Sequence, residues 1–314
     1  MPNVIEVDGI VKRYGDLVAL DQLSLEVQAG EIYGLLGPNG SGKSTAIYCM
    51  LALLTHERGE VRIFGQTMRP DSYDSKRRIG VVMQDVAVFG PLTVEENIDF
   101  FCGLYVRDRA ERKRLVADAI DFAGLGDFRK FLPAKLSGGL LRRLNIACGI
   151  AHRPDLIFLD EPTVAVDPQS RNNILEGLEE LNRQGTTIVY TTHYMEEVEQ
   201  ICDRIGILDH GQLIAEGTAD ELKGMISSGD TITIELQDPN DAVIQALREL
   251  DFVSQLESSE GRIEIQTRHG ERRLDSVLAT LAAHDTAYSS IYAQKPTLNT
   301  VFLEITGRAL RDHD

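Results

Sequence analysis

The chain has 314 residues and a formal net charge of -17, from 32 basic and 49 acidic side chains. That length predicts two domains or one domain with an appendage, and 43% hydrophobic with 26% charged residues fits an ordinary globular protein. The acidity argues against a general nucleic-acid or lipid binder, whose surface needs excess Lys and Arg, without excluding a local basic patch.

Cys49, Cys102, Cys148 and Cys202 are far apart and lack C-x-x-C spacing, so neither a zinc site nor a disulfide framework is suggested, and a reducing cytosol fits. The N-terminal Met-Pro-Asn-Val-Ile-Glu-Val-Asp has no basic or apolar region of a secretory signal. No apolar run approaches the roughly 20 residues that span a bilayer, so work at a membrane would need spans from another chain.

In chain order, Val4 to Val11 and Val18 to Val27 alternate apolar and polar residues, which predicts strands of an antiparallel sheet. Tyr14, between them, either packs on the sheet or stacks on a base. Ile32 to Leu36 reads as a buried strand running into Gly37-Pro38-Asn39-Gly40-Ser41-Gly42-Lys43-Ser44-Thr45 and a helix. This is a phosphate cradle. Gly37, Gly40 and Gly42 are expected to take positive φ and turn N–H groups inward, Lys43 brings a cation to the β/γ-phosphates, and Ser44 a hydroxyl for Mg²⁺. The helix start adds the positive end of its dipole.

Short strands follow at Gly59 to Phe64 and Ile79 to Met83, the second leading into Gln84. An amide at such a strand end is either a surface loop residue or a group for Mg²⁺ or the attacking water. Thr93 and Glu96 form a capping-box pattern opening a helix toward Tyr105, and helical periodicity continues to about Ile150, including an amphipathic stretch from Ala110 to Ala123. Ser137-Gly138-Gly139 then opens another helix: a hydroxyl, glycine amides and a helix N-terminus make a second anion site, or only an N-cap and a tight turn. Leu156 to Leu159 is an apolar strand delivering Asp160 and Glu161 at its end; Asp160 suits Mg²⁺ and Glu161 suits polarising a water. Asp167 precedes a helix from Pro168 to Gln184. His193 follows a strand from Thr187 to Thr191, where it is structural or donates to a phosphate oxygen. A hairpin around Asp209-His210-Gly211 ends this region.

In this order Tyr14, Gly37 to Thr45, Gln84, Leu136-Ser137-Gly138-Gly139, Asp160-Glu161, Asp167 and His193 resemble the A-loop, Walker A, Q-loop, signature, Walker B, D-loop and H-loop of ABC-transporter ATPase subunits, over roughly residues 3 to 222. The resemblance implies an α/β fold: a P-loop NTPase (RecA-like) core with an antiparallel β subdomain and a helical insertion. It also implies ATP and Mg²⁺ as ligands, with Ser44, Gln84 and Asp160 at the metal, Glu161, His193 and Gln84 in hydrolysis, and head-to-tail pairing in which Ser137 of one chain closes ATP bound on Lys43 of the other. Two motifs depart from the family pattern: Leu140 stands where Gln is usual, and Val164-Ala165-Val166-Asp167 replaces small-Gly-Leu-Asp.

Beyond Ile226 the pattern becomes β-α-β-β-α-β, predicting a small α+β (ferredoxin-like) domain over 226–314 after an ATPase domain over 1–225, with a helical subdomain over about 93–150. The helices expected there include one from Glu271 to His284. His269, His284 and His313 do not have metal-ligand spacing. A capped helix over Pro296 to Asp312 is similar to the tail of ATPase subunits of ABC-2-type, daunorubicin-resistance-like exporters. The reading is therefore a peripheral ATPase at the cytoplasmic membrane face, homodimeric or heterodimeric, docking on a separate permease through Asp85 to Asn97, with no nucleic-acid partner. The rivals are a soluble ABC ATPase acting on ribosomes or DNA, and a regulatory ATP-binding module.

Overall fold

A computed structural model describes residues 2–226, 228–236, 241–259, 261–268 and 273–307. His269, His313, the first residues of the helix expected from Glu271, and positions 308–312 of the expected terminal helix lie outside the described residues. The chain divides into two compact units between Thr218 and Ala219.

The first unit runs β1 (Asn3–Tyr14), β2 (Leu17–Gln28), β3 (Ile32–Leu36), α1 (Lys43–Met50), β4 (Arg58–Ile63), β5 (Gln66–Thr67), α2 (Tyr73–Lys76), β6 (Ile79–Val82), α3 (Val94–Gly103), α4 (Arg109–Phe122), α5 (Gly138–Ile150), β7 (Leu156–Asp160), α6 (Pro168–Arg183), β8 (Thr187–Thr192), α7 (Met195–Ile201), β9 (Arg204–Asp209) and β10 (Gln212–Gly217). Strands β2-β1-β4-β5 form an antiparallel sheet, and β10-β9-β3-β8-β7-β6 form a second sheet, parallel except for β10. The first strand continues past Val11, so Tyr14 is its last residue rather than part of a connecting loop.

Every residue of β3, β7 and β8 is buried, the near-continuous apolar pattern of parallel strands covered on both faces. One core joins the two sheets through α1: Ile5, Leu20, Leu23 and Val27 meet Leu35, Ile47, Met50 and Phe158. The insertion α3–α5 has its own core of Val94, Ile98, Leu115, Ile120 and Leu144. Thr93 and Glu96 cap α3 reciprocally, with Glu96 Oε2 accepting from Thr93 N at 2.8 Å.

In the second unit the chain runs α8 (Ala219–Gly224), β11 (Ser228–Leu236), α9 (Asp241–Arg248), β12 (Val253–Ser259), β13 (Arg262–Arg268), α10 (Leu274–Ala283), β14 (Tyr288–Gln294) and α11 (Leu298–Thr306). The sheet order is β12-β13-β11-β14, all antiparallel, over a core including Ile234, Val243, Leu247, Ile263, Val277 and Leu281. His284 follows the last residue of α10 as its C-cap. The terminal helix starts at a Thr297 cap and stops at Gly307, whose φ of 70° is the left-handed stop that glycine favours.

His152, after α5, stacks on Tyr105 after α3 with ring centroids 3.9 Å apart, and its Nε2 lies 3.2 Å from the Ile79 carbonyl. Its Nδ1 has no hydrogen-bond partner. Burial pushes the imidazole down to about 4, against the opposing effect of the Ile79 bond. A histidine held neutral in the fold and free to protonate in the unfolded chain contributes stability above about pH 6.5 that is lost as pH falls toward 4. Thermal melts across that window should therefore fall more steeply in the native protein than in His152→Phe, which keeps the stack without the titration; equal slopes would remove His152 from this role.

Candidate functional site

The parallel sheet ends its strands at one level: Leu36 pairs with Thr192, Asp160 with Thr191, and Val82 with Leu159. Whatever follows these strands must meet at that edge, the place where open α/β sheets bind ligands. Tyr14, Asn39, Gly40, Gly42, Lys43, Ser44, Thr45, Gln84 and Glu161 line one open cleft of ≈ 470 Å³ there, with Leu17, Val18, Ala19 and His210.

Of the three glycines in the cradle, Gly40 and Gly42 take φ of 80° and 110°. Gly37 does not; a Cβ there would stand 2.3 Å from the Leu208 carbonyl oxygen, so it is a glycine because of close backbone approach rather than positive φ. Lys43 Nζ donates to the Gly37 carbonyl at 2.8 Å and the Pro38 carbonyl at 3.1 Å, and lies 3.1 Å from Glu161 Oε1. Glu161 Oε2 is 3.0 Å from His193 Nδ1. Burial alone would raise the Glu161 carboxyl, but the His193 hydrogen bond and the Lys43 ammonium outweigh it and hold the group below the ordinary range. Asp160 Oδ1 accepts from Thr191 Oγ1 at 2.6 Å, whereas its Oδ2 is buried without a partner, as is Ser41 Oγ.

Two orphaned buried oxygens beside a lysine cradle fit a phosphate and its metal. Buried polar atoms need a partner, and the hydroxyl, amide and carboxylate oxygens of Ser44, Gln84 and Asp160 are the hard donors Mg²⁺ takes.

Ser137, Gly138, Gly139 and Asp167 are not in this cleft. Ser137 caps α5, accepting from Leu140 N at 3.3 Å, and is exposed with Gly138. Asp167 caps α6, accepting from Ser170 N at 2.9 Å. The two helix starts touch: a Cβ on Gly139 would stand 2.8 Å from Ser170 Oγ and 3.1 Å from Asp167 Oδ2. Leu140 turns into the helical subdomain and packs on its core, which accounts for an apolar residue where the family has Gln. Ala165 takes φ 59°, a left-handed conformation costing about 1–2 kcal/mol without glycine, at the position where the family carries Gly.

Several residues in this machinery have little sequence signal. Arg142 is buried and donates to the carbonyls of Met83, Gln84, Asp160, Glu161 and Pro162. Asn145 accepts from Ala87 N at 3.0 Å, and Asn97, fully buried, bonds Phe89, Leu92 and Thr93. Within the expected surface Asp85 to Asn97, Val94 and Asn97 face inward, while Val86 and Phe89 are exposed, Phe89 packing edge-on against Phe100. Glu197, also buried, accepts from Thr163, Tyr190 and Thr192 at 2.6 to 2.8 Å. The clue to Arg142 was helical phase, since 142, 145, 146 and 149 share one face of α5.

Residues 20–164 match the ABC transporter family. The linearmycin resistance ATP-binding protein LnrL of Bacillus subtilis (strain 168) is 39% identical over 98% of this chain and 100% of its own length. The daunorubicin/doxorubicin resistance ATP-binding protein DrrA of Streptomyces peucetius is 37% identical, over 99% of this chain and 94% of its own. A dimeric ATP-binding cassette solved in a post-hydrolysis state with ADP and Pi aligns at TM-score 0.63 and 29% identity, covering 68% of this chain and 98% of that one. With the cradle, the paired acids and these relatives in agreement, the chain belongs to the ATP-hydrolysing, ATP-binding subunits of ABC transporters.

Proposed function

We propose that the chain powers export through a separate membrane permease, by closing on ATP and Mg²⁺ and hydrolysing the γ-phosphate bond. Relatives named for linearmycin resistance, daunorubicin/doxorubicin resistance and Nod factor export support the direction. Among the described residues no helix is long and apolar enough to cross a membrane, in keeping with spans supplied by a partner. The partner would sit on the exposed apolar side chains Val86, Phe89, Phe100, Leu104 and Tyr105, at the cytoplasmic face.

The observation carrying the catalytic reading is the Glu161 carboxylate, held ionised between Lys43 and His193 at the level of Asp160. In this reading the ATP phosphates take over the Lys43 ammonium, which releases Glu161 to accept a proton from the attacking water. His193 holds the other carboxylate oxygen and reaches the γ-phosphate. Ser44, Gln84 and Asp160 would hold Mg²⁺, which when bound would offset charge on the phosphates. Tyr14, 46% exposed at the rim of the cleft, stacks on the base. Ser137, Gly138, Gly139 and Asp167, outside the cleft of their own chain, close the cleft of a second ATPase subunit. At a net charge of -17 two copies repel, so pairing depends on nucleotide and Mg²⁺.

Replacing Glu161 with Gln is expected to leave ATP binding within about threefold while lowering kcat by roughly 100-fold or more. A phosphate-release assay beside nucleotide titration checks this, and an unchanged rate would remove Glu161 from its role. In gel filtration E161Q should pair on adding ATP and Mg²⁺, and E161Q carrying Ser137→Arg should not. Pairing of the double variant would sink the shared site.

A further inference from the structure

Arg142 is 4% exposed, yet its guanidinium is not spent on a carboxylate. Its nitrogens donate to five carbonyls: Nε to Pro162 at 2.7 Å, Nη1 to Met83 at 3.1 Å and Gln84 at 2.6 Å, Nη2 to Asp160 at 3.2 Å and Glu161 at 2.7 Å. The planar fork matches its five N–H groups to five acceptors. Burying a cation is costly, and removing this one would leave five carbonyls short of a donor. All five acceptors lie in two segments, residues 83–84 and 160–162, that carry Gln84 and Glu161 of the cleft and Asp160 next to it.

The Glu161 backbone explains what the contact does. Its φ of 47° is strained for a residue with a Cβ. The conformation is held from both sides: the Glu161 N–H donates to Thr191 O and Thr191 Oγ1, each at 3.1 Å, and its carbonyl accepts from Arg142. The same carbonyl also accepts from Val164 N at 3.4 Å, so Arg142 supplies the shorter of the two bonds on that side.

We propose that Arg142 is a positioning residue for ATP hydrolysis: from α5 it fixes the backbones of Gln84 and Glu161 together, so that the amide and the hydrolytic carboxylate face the nucleotide at once. The inference rests on Glu161 being the group that assists hydrolysis. Arg142 belongs to the helix whose first turn carries Ser137 and Gly138, so displacement of that turn by a second subunit is transmitted to both segments by one rigid side chain.

The test is steady-state ATP turnover by the full-length chain with Mg²⁺, for Arg142→Met, Arg142→Lys and Glu161→Gln, with rates divided by the concentration of nucleotide-binding sites. Arg142→Met should lower kcat roughly 10- to 100-fold with KM for ATP within about threefold. Arg142→Lys, with three donors that cannot span both segments, should recover part of the rate. A double variant with Gln84→Ala should lose less than the product of the single losses. A merely structural role predicts a lower melting temperature and fewer binding sites with kcat per site unchanged, and that result, or an R142M kcat within about twofold of native, overturns the proposal. If R142M fails to fold, R142K carries the same comparison: a native kcat per site refutes, and a reduced kcat at native KM supports. E161Q separates the layers: an inactive E161Q beside a fully active R142M rejects only the role of Arg142, whereas an active E161Q rejects the reading beneath it.

Discussion

The ammonium of Lys43 is the charge on which the ATPase unit closes. It is 5% exposed and gathers the Gly37 and Pro38 carbonyls and the Glu161 carboxylate, so the loop before α1 and the end of β7 are held by one side chain. Removing that charge would leave a buried carboxylate without its counter-ion, the costly half of a broken ion pair. The contact is also exchangeable. An anionic ligand entering the cleft would compete with Glu161 for the same ammonium, so in the proposed reading its binding would release that carboxylate.

Around this pair the unit keeps a cluster of buried polar side chains: Asp160, Glu161, Arg142, Asn97 and Glu197 are each at most 5% exposed. Nearly every polar atom among them is satisfied, and the exception, Asp160 Oδ2, lies where the metal would be held. Strain accompanies the polarity, at Glu161 and at Ala165, each flanking a functional turn. Such arrangements lower stability and fix geometry, and here they cluster at the ends of β6, β7 and β8, while the apolar core between the two sheets supplies the compensating burial.

The two departures from the family pattern resolve differently. Leu140 is absorbed by packing in the helical subdomain and leaves Ser137 and Gly138 exposed. Ala165 keeps the backbone shape that a glycine would take, at a conformational cost, and so preserves the turn that sets Asp167 at the start of α6.

Much of this was legible in the sequence because it depends on local rules. Glycine spacing, the two caps at Thr93 and Ser137, and apolar strands running into Gly37 and Asp160 each specify their own few residues, and the order of these motifs specifies the family. The sequence also separated the two polar helix starts from the lysine loop, without revealing that Gly139 is needed where α5 meets α6. Only the tertiary structure decided which charges share a cavity. Arg142 reads as one more arginine of an amphipathic helix, Asn97 as a polar residue of a docking surface, and Glu197 as an acid near a helix start. Their most distant partners lie 59 residues away for Arg142, 34 for Glu197 and 8 for Asn97, brought together by the packing of α5 on β6 and by the common level at which the parallel strands end. Local pattern fixes what a residue can form with its neighbours; burial and partners at long range are properties of the closed fold, and they turned these side chains from surface groups into supports of the site.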